Sequence, residues 1–290
     1  MGSVGLASLA EAYVLRAIQG EPFDLAWVDS GWLVSRSLVL ALQKRDLRVI
    51  NYNHDDPYGT RDANYWLQYR RAVSAYDLMV VVREENIEEA YRLKARKVLH
   101  VFRSADEVAH APRVLTEEER ANWGSEVLFV GTGFPVRGPF FVELIRLGVP
   151  VSIYGGLWNR LKEWKHIQPH WKGPGLEDAY TYSTAIQAAK VCLGLLSSEN
   201  RDLHTTRSME IPALGGVFCA QRTSEHLALY REEEEAVFWD TPEECAAKCF
   251  ALLRDDAWRE SVARQGRERY LKNGWTNMQV AERILKAAFE

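Results

Sequence analysis

NRDLHTTRSMEIPALGGVFCA, Asn200 to Ala220, reads as a loop, a short helix and an apolar strand in succession. The loop holds Arg201, Asp202, His204 and Arg207, and the helix carries Glu210. Pro212 and the pair Gly215-Gly216 close that helix before VFCA begins. Upstream lies another apolar run, VCLGLL (191–196). Short apolar runs alternating with helices are the pattern of a parallel α/β sheet, whose strands need crossover connections. The stretch also sets two carboxylates, Asp202 and Glu210, eight residues apart across the loop-to-helix junction. A helix start offers unpaired N–H groups and a positive dipole end, which suit a phosphate, and carboxylates accept bonds from sugar and ribose hydroxyls. A nucleotide-sugar carries all of these groups. The plain alternative is an ordinary α/β helix, with Asp202 as a turn residue and Arg207 on a solvated face.

The alternation extends along the chain. Leu6, Leu9, Ala10, Tyr13, Val14 and Ala17 fall at helical spacing, and strands are predicted at 24–30, 47–53, 77–82 and 98–102. From about residue 104 the text SADEVAHAPRVLTEEERANWGSE has charge, a proline and no strand period, which marks a domain junction. A first domain is taken as 1–112, a second as 113–270, and 271–290 as a closing helix. The second series of predicted strands is 126–131, 150–155, 191–196, 216–220 and 236–239. Thr241-Pro242-Glu243-Glu244 has the capping-box pattern of a helix start, with proline at the first helical position.

At 290 residues the chain can hold two cores. Its 47% hydrophobic and 26% charged residues are ordinary for a globular protein. A net charge of −4 argues against nucleic acid as a partner held by charge alone. No apolar run is long enough to cross a bilayer and no signal-peptide layout opens the chain, so a cytoplasmic location is expected. Cys192, Cys219, Cys245 and Cys249 are expected to be buried free thiols, because a metal site would want a second close pair or a histidine at ligand spacing.

Two further segments carry chemistry. In VGTGFPVRG, Val130 to Gly138, a strand ends at Gly131, and Gly131, Thr132, Gly133 and Arg137 make a candidate phosphate cradle with one guanidinium. Its plain alternative is a strand-to-helix turn. In NYNHDDPYG, His54, Asp55 and Asp56 follow an apolar strand, where a parallel sheet binds its ligands. The alternative there is an Asx-type turn capped by Pro57 and Gly59, and a metal-binding role for the two aspartates is the weaker reading. Tyr154, and Tyr180 with Tyr182, are aromatic candidates for the nucleobase.

Several blocks resemble the spore-maturation-type (CgeB-like) glycosyltransferases, a GT-B group akin to the large retaining family marked by a Glu-x7-Glu pair. They are DLAWVDSG, NYNHDDPYG, YDLMVVVREENIEEAY, VLFVGTGFPVRGPFF and RSMEIPALGG…QRTSEH…GRERY. The resemblance implies an α/β, GT-B-like fold: two Rossmann-like domains with parallel sheets facing a cleft, and a last helix crossing back to the N-terminal domain. That domain is reduced, supplying four strands where six or more are usual. By resemblance Glu210 binds the ribose, while Asp202, in place of a glutamate, lies near the transferred sugar. The amides of His204, Thr205, Thr206 and Arg207 face the diphosphate, with Asn200 at the head of the loop. Tyr154 and Tyr182 lie by the base, and His54, Asp55 and Asp202 serve the reaction.

The implied activity is sugar transfer from a UDP-type nucleotide-diphosphate donor to an unidentified hydroxyl acceptor, with retention of configuration, no metal and no further cofactor. Front-face substitution is the implied route. A non-catalytic nucleotide-sugar-binding or scaffolding protein and a nucleotide-sugar epimerase remain as alternatives.

Overall fold

A computed structural model describes residues 3–59, 64–196 and 200–290. The chain divides into two compact units. The first comprises Met1–Arg103, Glu199–Asp202 and Gln279–Glu290; the second comprises Ser104–Ser198 and Leu203–Met278.

Unit 1 runs α1 (Ser3–Ala17), β1 (Leu25–Asp29), α2 (Arg36–Gln43), β2 (Arg48–Asn53), α3 (Leu67–Ala72), β3 (Leu78–Val81), α4 (Glu85–Arg92) and β4 (Val98–His100). Among the described residues its four strands are parallel in the order β1-β2-β3-β4. The central strands β2 and β3 are buried on both faces; LMVV is accordingly apolar throughout, while β2 buries Asn51 and Asn53 beside Ile50 and Tyr52. On one face Val49 and Met79 meet Leu38, Val39 and Leu42 of α2 and Tyr69 and Ala72 of α3. On the other, Ile50, Tyr52, Leu78 and Val80 meet Val280, Ile284 and Ala288 from the end of the chain. Helix α1 forms as expected, but through a different face. Leu9 and Tyr13 are exposed, and Val14, Leu15 and Ile18 make the contact with the core.

Unit 2 continues with α5 (Glu117–Trp123), β5 (Ser125–Val130), α6 (Arg137–Arg146), β6 (Val151–Tyr154), α7 (Trp164–Ile167), β7 (Trp171–Gly173), α8 (Ala179–Ala188) and β8 (Ala189–Gly194). Then come α9 (Arg207–Ala213), β9 (Phe218–Gln221), α10 (Ser224–Leu229), β10 (Val237–Trp239), α11 (Pro242–Arg254) and α12 (Asp256–Asn273). The last helix, α13 (Asn277–Phe289), supplies the residues that close unit 1. The described strands of unit 2 are parallel in the order β10-β9-β8-β5-β6-β7. The chain builds outward from β5 to β7, then returns to the other side of β5 for β8. That reversal between β5 and β8 is a topological switch point, where a crevice opens beyond the carboxyl ends of the strands. The loops leaving β5 and β8 are the two that can line it.

Two expectations are corrected. Strand β7 was not foreseen, since Trp-Lys-Gly is three residues long and carries no apolar run. The junction falls at Arg103/Ser104 rather than after residue 112, because the intervening segment is bonded to unit 2. Ser183 Oγ donates to Ala109 O (2.6 Å), Arg113 N–H to Gln187 Oε1 (3.2 Å), and Ala105 bridges Thr276. For the same reason unit 2 extends to Met278 rather than to residue 270. No helix among the described residues is long and apolar enough to cross a membrane.

Candidate functional site

The segment QRTSEH, which ends β9 and opens α10, bonds described residues of the loop after β8. Gln221 Oε1 accepts the Leu196 N–H (2.8 Å), and Thr223 Oγ1 donates to Leu203 O (2.6 Å). Glu225 meets His204 Nδ1 at 2.5 Å. His226 Nδ1–H donates to Gln221 O (2.6 Å), leaving Nε2 to accept from Ser208 Oγ–H (2.9 Å), whose oxygen accepts the Thr205 N–H (3.1 Å). His204, Ser208, Glu225 and His226 are all buried, and burial pulls His226 down to about 4. Neutral His226 suits the tautomer that these bonds require.

From this support rises α9, with Glu210 in its first turn. Tyr182 Oη donates to Glu210 Oε2 (2.8 Å) and the Arg207 guanidinium binds the same oxygen. Arg207 also lies over the Tyr182 ring, 4.5 Å from its centroid. His110 Nε2 stands 4.0 Å from the other carboxylate oxygen. Tyr182 is buried, and its hydroxyl is held far above the ordinary phenol range by that burial. It therefore remains a donor that orients Glu210. Thr206, the residue before α9, makes no side-chain cap, and neither does Val136 before α6. Helices α5, α8, α10, α11 and α12 in the same unit are capped by Thr116, Asp178, Thr223, Thr241 and Asp255. At the starts of α9 and α6 the turns themselves take up several N–H groups: Ser208 and Met209 N–H bond Thr205 O (3.0 Å) and Thr206 O (2.9 Å), and Arg137 N–H bonds Phe134 O (2.9 Å). What these two helix starts beside the switch point offer an anion is therefore chiefly their positive dipole ends.

On the β5 side, Gly131, Thr132 and Gly133 lie as expected at the strand end, but their constraint is internal. A Cβ on Gly133 would stand 2.7 Å from the Trp158 backbone, and one on Gly155 1.9 Å from Gly131 O. The glycines let the loops after β5 and β6 touch. Arg137 is likewise turned inward: it donates to Thr132 O (2.9 Å), Leu195 O (3.1 Å) and Leu196 O (3.2 Å). It clamps the post-β5 loop to the post-β8 loop across the switch point, in place of the phosphate-facing guanidinium that the sequence suggests. Tyr154 ends β6 beside Trp123, at 5.9 Å between rings. Tyr180 instead donates to Glu119 on the outer side of α8.

The remaining sequence candidates belong to unit 1. His54 packs on Tyr52 at 4.2 Å, and burial followed by Arg103 lowers its pKa. Asp55 N–H bonds Asn53 Oδ1 (2.8 Å), so the Asx turn does form. Asp56 is paired with Arg201 and Asn86. Against the cost of burial, the Arg201 bonds hold its carboxyl below the ordinary range. Arg83 binds Asp202, Asn200 O (2.8 Å), His54 O (3.0 Å) and Asp55 O (2.7 Å), and Arg103 lies 3.5 Å from Asp202. Asp202 and Glu210 are consequently held by different units, the first by arginines of unit 1 and the second by Arg207 and Tyr182 of unit 2.

Arg83, Arg103 and His110 were missed in the sequence. The rule that singled out His54, a polar residue directly beyond an apolar strand, would have found Arg83 after β3 and Arg103 after β4. His110 carried no signal, lying in a segment without strand or helix period.

The profile of the glycosyl transferase-like family matches residues 137–286, more than half of the chain. This chain belongs to that family. The matched region of this glycosyl transferase-like chain contains Arg137, Tyr182, Arg207, Glu210 and the QRTSEH segment. Solved structures agree on the fold. Anabaena HepE in complex with UDP-glucose is similar at TM-score 0.70 and 12% identity, over 97% of this chain and 84% of that one. Sucrose-phosphate synthase from Thermosynechococcus elongatus is similar at 0.68 and 16%, over 98% and 78%. A putative UDP-N-acetylglucosamine 2-epimerase from Listeria monocytogenes is similar at 0.62 and 12%, over 99% and 79%. No curated protein matches the sequence. The architecture is GT-B-like, with two parallel-sheet α/β units.

Proposed function

We propose that this chain is a GT-B glycosyltransferase that moves a sugar from a UDP-type nucleoside-diphosphate donor to a hydroxyl-bearing acceptor, with retention and without a metal ion. Unit 2 binds the donor. The observation that carries this reading is Glu210, oriented by Tyr182 and Arg207 at the switch point beside two uncapped helix starts. A fixed carboxylate suits a ribose diol, and the positive end of a helix without a side-chain cap suits a diphosphate. The UDP and UDP-glucose complexes of similarly folded HepE give the donor class its support.

Because Arg137 is committed to three carbonyls, charge on the departing diphosphate falls to Arg207 and the positive helix ends. Asp202, already balanced by Arg83 and Arg103, acts as a hydrogen-bond acceptor for a sugar hydroxyl rather than as a base. His54, kept neutral by burial and Arg103, can accept a proton or a hydrogen bond at neutral pH. Retention follows from front-face attack, in which the leaving phosphate oxygen takes the acceptor proton.

Calorimetry with UDP, followed by donor-consumption assays with and without an acceptor panel in chelator, tests the proposal. UDP binding together with acceptor-dependent turnover is the expected result. Conversion of donor without acceptor would favour an epimerase, the reading to which the Listeria likeness lends support. Binding without turnover would leave a nucleotide-sugar-binding protein, and loss of turnover in chelator would return Asp55 and Asp56 to consideration as metal ligands.

A further inference from the structure

Away from the candidate site, three of the four cysteines come together. Cys245 and Cys249 lie one turn apart on α11 and so share a face, and Cys219 lies on β9 in the same core cluster. Their sulfur atoms all lie within 4.8 Å of one another, and all three residues are fully buried. The sequence reading stopped at the i, i+4 pair because the third thiol is contributed from a strand 26 residues before Cys245.

The surroundings decide which ligand such a trio can take. The cluster is otherwise built from Val237, Trp239, Leu252 and similar apolar side chains. A net charge there would be penalised heavily unless paired. A divalent ion on three thiolates leaves one negative charge and wants a fourth ligand, and the trio includes none. A trivalent, three-coordinate thiophile leaves no charge at all.

We infer that Cys219, Cys245 and Cys249 form a binding site for trivalent arsenic or its congener antimony. Arsenous acid condenses with the three thiols. Three As–O bonds break and three As–S bonds form, and each thiol proton leaves with a hydroxyl as water. Nothing is oxidised or reduced. If As–S bonds are taken as similar to the ~2.3 Å of a zinc–thiolate bond, three sulfurs on one pyramidal centre stand about 3.5–4 Å apart. Sulfurs within 4.8 Å of one another therefore have to close by up to about 1 Å, which rotation of three thiol side chains can supply. The adduct ties β9 to α11, so it binds the folded chain in preference to the unfolded one.

The test incubates the full chain, reduced with a thiol-free phosphine, with sodium arsenite through a brief warming step that opens the core. After removal of excess reagent, bound arsenic is counted by elemental analysis and thermal unfolding is recorded. One arsenic per chain is expected, with a raised unfolding midpoint. In a parallel unfolding run with arsenite kept at 100 times its dissociation constant, the folded-to-unfolded ratio should rise about 100-fold. Cys192→Ser should behave as wild type. Cys219→Ala and Cys249→Ala should each lose the stabilisation, and zinc should not reproduce it. If both alanine variants unfold, arsenic retention by wild type with excess zinc present still decides. No bound arsenic, equal binding by folded alanine variants, or displacement by zinc would overturn the inference.

Discussion

Replacing Arg83 with leucine should cost the protein far more than the loss of a surface charge. The guanidinium is 4% exposed and its partner Asp202 6%, so the pair lies out of water. Leucine leaves the Asp202 carboxylate with Arg103 alone, at 3.5 Å, and withdraws donors from Asn200 O, His54 O and Asp55 O. Breaking a buried ion pair from one side costs about 3–5 kcal/mol, because the remaining charge is stranded. The carbonyls add to this only in part, since Arg103 also reaches His54 O (2.7 Å). Removing both charges, as Arg83→Leu with Asp202→Leu, should be milder than the two single losses combined. Urea titrations of the two single variants and the double variant form the cycle that measures this. Should Arg83→Leu fall within 1 kcal/mol of wild type, or the single losses simply add, the pair is not the structural tie described. The result also bears on kinetics. Asp202→Ala strands Arg83 in the same way, so Asp202→Asn is the variant to use for turnover.

Glu210→Ala should raise the UDP-donor dissociation constant by about 10- to 150-fold, corresponding to the roughly 1.5–3 kcal/mol of a charge-assisted hydrogen bond. Calorimetry reads it directly, and unchanged affinity would remove Glu210 from the site. The depressed pKa of His226, about 4 against 6.5 when unfolded, means that the unfolded chain binds more protons between those values. Stability should therefore be complete above pH 6.5 and fall by about 3 kcal/mol as pH drops to 4. Urea midpoints across that range in wild type and His226→Gln should converge at the acid end, and parallel curves would refute the assignment. Gly133→Ala should lower the thermal midpoint, since its Cβ would meet the Trp158 backbone at 2.7 Å. An unchanged midpoint would show that the post-β5 loop has room to move.

The fold was legible where burial is continuous. The runs LMVV and VLFV spell both-face-buried parallel strands, and β7 escaped because an edge strand of three residues has no such run. At the site, residue type could be read but direction could not. Gly131, Gly133 and Arg137 occupy the expected strand end, yet the glycines serve loop-to-loop contact and the arginine bonds carbonyls 58 and 59 residues away. Such partners are set by sheet order, with β8 returning beside β5, which no local spacing encodes. The same limit applies to Glu225 and His226, whose roles depend on α10 passing beneath the post-β8 loop.

The C-terminal helix α13 has a consequence for the order in which the protein is made. The face of Ile50, Tyr52, Leu78 and Val80 is covered by Val280, Ile284 and Ala288, which leave the ribosome only after all of unit 2. At about 5–20 residues per second, the stretch from Arg103 to Val280 takes roughly 9–35 s to synthesise. Throughout that interval the nascent first sheet presents an apolar face with its own cover still unmade. Unit 2, which needs only Ser104 to Met278 apart from a four-residue excursion, can complete its core first. The half translated earlier is thus the half that matures last, and a chaperone binding nascent chains would find its substrate on β2 and β3.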